Sequence, residues 1–80
     1  MANKLEVMNS VLNRMEDIQN TQRSLIEKLG HVEVDLFNIE SKELDEKLAK
    51  VHQSASESMD IIKEAIESFE IKRNKLQEGL

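Results

Sequence analysis

The sequence contains no cysteine, proline, tryptophan or tyrosine, and it has only two glycines, Gly30 and Gly79, and two aromatics, Phe37 and Phe69. Without cysteine, neither a disulfide framework nor a thiolate metal site can supplement a thin hydrophobic core. Without proline, nothing along the chain removes a backbone donor or forces a helix to break. Ligand and catalytic pockets are usually lined with aromatic side chains, so this poverty argues against one. Apolar runs stop at two or three residues, far short of a bilayer span, and a membrane role is not expected. The opening Met-Ala-Asn-Lys-Leu-Glu has no apolar h-region, which argues against a secretory signal. A cytoplasmic setting is expected.

What is present is charge and helix-forming side chains. Of 80 residues, 34% are charged, with 11 Lys plus Arg against 16 Asp plus Glu and a formal charge of −5. A net negative chain is a poor non-specific ligand for DNA, RNA or anionic lipid. So short a chain makes one domain and buries little on its own, leaving oligomerisation or docking as the route to further stability. The fold class expected is all-α: a coiled-coil-like hairpin of two long amphipathic helices, assembling as an oligomeric bundle.

Asn3, with Glu6 three residues later, reads as a helix-opening capping pair. Taking Leu5 as heptad position a, Leu5, Leu12, Gln19 and Ile26 form that column, and Met1, Met8, Met15, Gln22 and Leu29 form the d column. Val11, Ile18, Leu25 and Val32 add a third apolar column, wider than a two-stranded seam requires. Gly30 suits a left-handed C-terminal stop, so the first helix is expected over 4–29 and a connection over 30–40. Val32–Leu36 alternates like a strand, but a lone strand has nothing to pair with. Leu36, Phe37 and Ile39 are expected to close one end of the core.

Ser41 is the favoured N-cap of a second helix over about 41–77, with Asp35 as the alternative start. With Leu48 as position a, the a column is Leu48, Ala55, Ile62, Phe69 and Leu76. The d column is Leu44, Val51, Ser58, Ala65 and Lys72, and Met59, Ile66 and Leu80 fall at e. The stretch 53–58, rich in serine, has poor propensity and marks a weak point. A 4–29 helix folded against a 41–77 helix leaves the end of the longer one overhanging. Phe69, Ile71, Leu76 and Leu80 would then be uncovered. Together with Ile61, Ile62 and Ile66 they form the expected surface for partner binding and oligomerisation, a dimer of hairpins being favoured.

Other candidates each have a plainer reading. Gln19 and Gln22 break an apolar seam and would fix register if buried, or simply be hydrated at its edge. Met1, Met8, Met15 and Met59 could line an adaptable groove, though core filling is commoner. Glu57, Asp60, Glu64 and Glu67 line one outer face, which could imitate a row of phosphates; a solvated face predicts the same spacing and is favoured. His31 and His52 belong to no HExxH or Glu-x-x-His pattern, so no metal and no cofactor is expected. No nucleophile elbow or phosphate loop is present, and the chain reads as non-enzymatic. The Trp-x-Gly turn of secreted helical-hairpin proteins has no counterpart in Lys28-Leu29-Gly30, nor does the proline-containing turn of type III secretion needle subunits.

The expected function is therefore protein binding through an apolar helix face by a small acidic oligomer: an adaptor, regulator, chaperone or inhibitor of a host factor. The alternatives are an acidic nucleic-acid mimic that blocks the basic groove of a DNA- or RNA-handling enzyme, and a purely structural coiled-coil spacer.

Overall fold

The computed structural model describes residues 3–79. Two helices, α1 (Lys4–Asp35) and α2 (Lys42–Glu78), pack against each other as an antiparallel hairpin, with no strand among the described residues. Helices of 32 and 37 residues span about 48 and 56 Å. The longest dimension is 60 Å, as side-by-side rods require. Met1, one of the d-column positions, and Leu80, one of the expected docking residues, lie outside the described residues.

Asn3 caps α1. Asn3 Oδ1 accepts a hydrogen bond from the Glu6 backbone N–H at 2.8 Å, satisfying one of the donors that the first turn leaves unpaired. Ser41 occupies the N-cap of α2, where its carbonyl accepts from the Asp45 N–H at 3.0 Å, and Glu43 and Asp45 place negative charge in the first turn.

The expected stop at Gly30 is not used. No glycine among the described residues has positive φ, and α1 runs on through Gly30 to Asp35. The physical reason is packing. Leu29 is buried and Gly30, Glu33 and Leu36 are half-buried along the same side, so continuing the helix covers more surface than turning at the glycine. A 3-10 turn at Leu36–Asn38, closed by Ile39 N–H to Leu36 C=O at 3.1 Å, then reverses the chain. α2 is unbroken through 53–58: Ala55 is buried and Ser56 half-buried against α1, and tertiary contact outweighs poor local propensity.

The core is a single seam. Met8, Leu12, Leu29, Ala55 and Ile66 are buried, Leu12 most deeply at 3% exposure. Leu5, Met15, Gln19, Gln22, Ile26, Leu48, His52, Met59, Ile62, Phe69, Arg73 and Leu76 are half-buried between them. On α2 the inner columns are thus Leu48, Ala55, Ile62, Phe69, Leu76 and, beside them, His52, Met59, Ile66, Arg73. The column Leu44, Val51, Ser58, Ala65, Lys72, expected to share the seam, is exposed instead. Met59 and Ile66 bury more apolar area than Ser58 and Lys72, and this difference rotates the helix.

Candidate functional site

Side-chain bonds between the helices set their register. Arg73 Nη1 donates to Asn9 Oδ1 at 3.2 Å near the open end, Gln22 Nε2 donates to Ser58 Oγ mid-way, and His52 Nδ1–H donates to Glu33 Oε1 at 2.8 Å near the turn. This register brings two columns to the same side of the hairpin. Val32 stands level with Val51, Leu25 with Ser58, Ile18 with Ala65, and Val11 with Lys72. Leu44 continues the row toward the turn. All are exposed, Ile18 at 49% and Val51 at 45%, although the seam beside them is covered.

The other side of the hairpin is different in kind. Asn9, Glu16 and Arg23 of α1 and Ser56, Lys63, Glu70 and Gln77 of α2 make it polar, with Phe37 and Ala49 as apolar exceptions near the turn. A depression there is lined by Glu33, Leu36, Phe37, Ala49 and His52. The apolar side therefore defines the candidate binding face: a row about 32 Å long from Val11 to Val32, widened toward the turn by Val51 and Leu44.

The residues expected to dock a partner are mostly spent within the hairpin. Ile66 is buried, and Ile62, Phe69 and Leu76 are half-buried in the seam. Phe69 and Leu76 border a groove together with Lys4, Val7 and Met8 of α1, so the start of α1 reaches the last turns of α2. The overhang inferred from a shorter first helix does not occur over these residues, because extending α1 to Asp35 lets the two rods match. Ile61 and Ile71 are exposed, at 66% and 56%: Ile61 adjoins the apolar flank beside Ser58 and Ala65, and Ile71 stands apart on the outer face of α2. Phe37 and Ile39 do not close the core: they are 86% and 62% exposed at the tip, while Leu36 is half-buried.

Gln19 and Gln22 are both half-buried in the seam. Gln22 Oε1 is buried without a hydrogen-bond partner while its amide N–H reaches Ser58. Glu57, Asp60, Glu64 and Glu67 are exposed on the outer face of α2, where Glu57 Oε1 accepts from Gln53 Nε2 at 3.2 Å. His31 is exposed on α1. Among the described residues no three His, Cys, Asp or Glu side chains are placed to hold a metal ion, and no helix is long and apolar enough to cross a membrane. The sequence signal for the flank was the third apolar column of the first helix. Its counterpart, Leu44 and Val51, had been assigned to the seam.

The fold and this face define the protein as an all-α helical hairpin with one polar and one apolar flank. No protein-family model matches the chain, and no curated protein or solved structure does either.

Proposed function

We propose that the protein is a non-catalytic interaction module, a preformed half of a helical bundle that binds another protein along the flank of Val11, Ile18, Leu25, Val32, Leu44 and Val51. One observation carries the reading: the apolar column Val11, Ile18, Leu25 and Val32 of α1 is exposed on the same side as Val51 and Leu44 of α2, whereas the opposite side at the same levels is largely polar. Covering a large apolar side chain is worth about 1.5–3 kcal/mol if burial is complete, and less for these half-exposed groups, but the terms accumulate along a continuous row. Helices that dock lengthwise in such a face complete a bundle, the usual way in which amphipathic helices recognise each other. A role as adaptor, regulator or inhibitor follows from this mode of binding, and a cytoplasmic setting belongs to the same reading.

The test is affinity capture with crosslinking from the native cell extract, comparing the unmodified chain with Leu25→Asp and Val32→Asp. Both positions are exposed, so the hairpin should stay folded by circular dichroism while capture is lost. A partner retained by both variants, or crosslinks confined to the polar flank, would remove this face from consideration.

A further inference from the structure

The only two aromatic side chains of the protein stand at opposite ends of the hairpin. Phe37 lies in the 3-10 turn that reverses the chain and is 86% exposed, with Val34 and Ile39 near it at 60% and 62%. Three large apolar side chains within six residues make a knob that the hairpin leaves open to solvent. Phe69 lies at the other end, in a groove of about 510 Å³ between the first turns of α1 and the last turns of α2, lined also by Val7, Met8 and Leu76. A concavity of this size is ample for one aromatic side chain.

Charge divides in the same way. Around the turn, over residues 33–50, Glu33, Asp35, Glu40, Glu43, Asp45 and Glu46 outnumber Lys42, Lys47 and Lys50, and Lys47 is already paired with Glu43 at 3.0 Å. At the open end, over residues 3–11 and 72–79, Lys4, Lys72, Arg73 and Lys75 outnumber Glu6 and Glu78. Lys4, Lys72 and Lys75 border the groove itself. Among the described residues no carboxylate lines it, and none of these three lysines is in an ion pair. The rod is 60 Å long, so the acidic knob and the basic groove of one chain cannot meet each other. They can meet only between chains.

We infer that the turn of one copy docks in the open-end groove of the next, so that the hairpins associate head to tail. Phe37 enters the groove beside Phe69 and Met8, contacts that aromatic pairs and thioethers favour. The carboxylates around the turn then stand against the lysines of the rim, and opposite charge orients the two ends. The acidic row Glu57, Asp60, Glu64 and Glu67 of α2 also offers negative charge to those lysines, but it carries no aromatic to fill the groove. The two contacting surfaces differ, so the interface is heterologous: each added copy leaves one turn and one groove free, and repetition gives a row with a spacing near 60 Å and not a closed dimer. One knob in one groove is a small interface, so the association is weak and sensitive to salt. It uses neither Leu25 nor Val32 and is independent of binding along the apolar flank.

The experiment is sedimentation velocity on the full chain from about 10 µM to about 1 mM, the range in which weak contacts become populated. The mean sedimentation coefficient is expected to rise with concentration and to fall back as salt is added. Two variants separate the surfaces. Phe37→Ser removes the knob, and Lys4→Glu with Lys72→Glu reverses the charge of the rim; all three positions are exposed, so circular dichroism should hold. Each variant alone should associate about ten-fold or more weakly than the unmodified chain. Mixed in equal amounts, the two should recover one-to-one pairs and nothing longer, because the first keeps its groove and the second keeps its turn. A symmetric dimer cannot give that recovery. The inference is overturned by an unmodified chain that stays monomeric throughout, by self-association that Phe37→Ser leaves unchanged or Leu25→Asp abolishes, or by folded variants that do not pair on mixing. The concentration series on the unmodified chain needs no variant to fold.

Discussion

Gln22 donates its amide N–H across the hairpin to Ser58 Oγ, and the other end of the same amide, Oε1, is buried without a partner. A buried acceptor left unpaired costs about 1–3 kcal/mol, comparable to or larger than the net gain from the bond that the amide makes. Gln22 sits in the seam between Met15 and Leu29, where an apolar side chain would strand nothing, because Ser58 is exposed and can bond to water. Gln22→Leu is therefore expected to stabilise the hairpin by about 1–2 kcal/mol, seen as a higher urea midpoint with the same slope. A lower midpoint would show that the Gln22–Ser58 bond outweighs the orphaned acceptor.

Gly30 offers a sharper test of how α1 is built. It lies inside the helix with negative φ, and a Cβ built on it meets nothing within 4 Å. Gly30→Ala should raise stability by about 0.5–1 kcal/mol, because the helix keeps its geometry and the unfolded chain loses freedom. Were Gly30 a left-handed stop, the same change would destabilise; a melting-temperature shift therefore reads the backbone directly.

Leu12 and Ile71 bracket the energetic range. Leu12 is 3% exposed and anchors the seam, so Leu12→Ala should cost about 2–4 kcal/mol, a large fraction of what so small a domain possesses. Ile71 is 56% exposed on the outer face of α2, and Ile71→Ala should stay within about 0.5 kcal/mol. Chemical denaturation of the two variants side by side checks the assignment of inner and outer faces.

Phe69 and Leu25 separate folding from binding. Phe69 is half-buried beside Met8 and Leu76, so Phe69→Asp should unfold the hairpin by placing a carboxylate in its seam. Leu25 faces solvent on the flank, so Leu25→Asp should leave helicity intact. Far-ultraviolet circular dichroism that drops for the first and holds for the second is the expected result.

Asn3 caps α1 through its side chain, and Asn3→Ala should cost about 1 kcal/mol and fray the first turn. Hydrogen exchange at the amides of residues 4–7 should rise while the seam around Leu29 keeps its protection. Uniform loss of protection along α1 would count against a local cap.

Much of the hairpin was legible in the sequence because its signals are local and periodic. Steps of three and four from Leu5 to Leu29 put one face of α1 inside, Asn3 and Glu6 marked its start, and Ser41 stands at the N-cap of α2. These depend on 3.6 residues per turn and on unpaired first-turn donors, which any helix of this sequence would share. Gly30 misled because a glycine permits a left-handed turn without demanding one; the contacts of Leu29 and Leu36 with the other helix made continuation the better outcome.

By itself the sequence determined that two amphipathic helices would fold back on each other with a third apolar column to spare. Only the tertiary structure decided which columns of α2 turn inward. Met59 and Ile66 went to the seam, Ser58 and Ala65 moved out level with Leu25 and Ile18, and Val51 came level with Val32. That rotation decided that the exposed apolar surface is the flank of Val11, Ile18, Leu25, Val32 and Val51 and not the end of α2 around Phe69 and Leu76. The physical reason is that side-chain periodicity sets a face only to within one neighbouring column, and mutual packing of two helices resolves the choice.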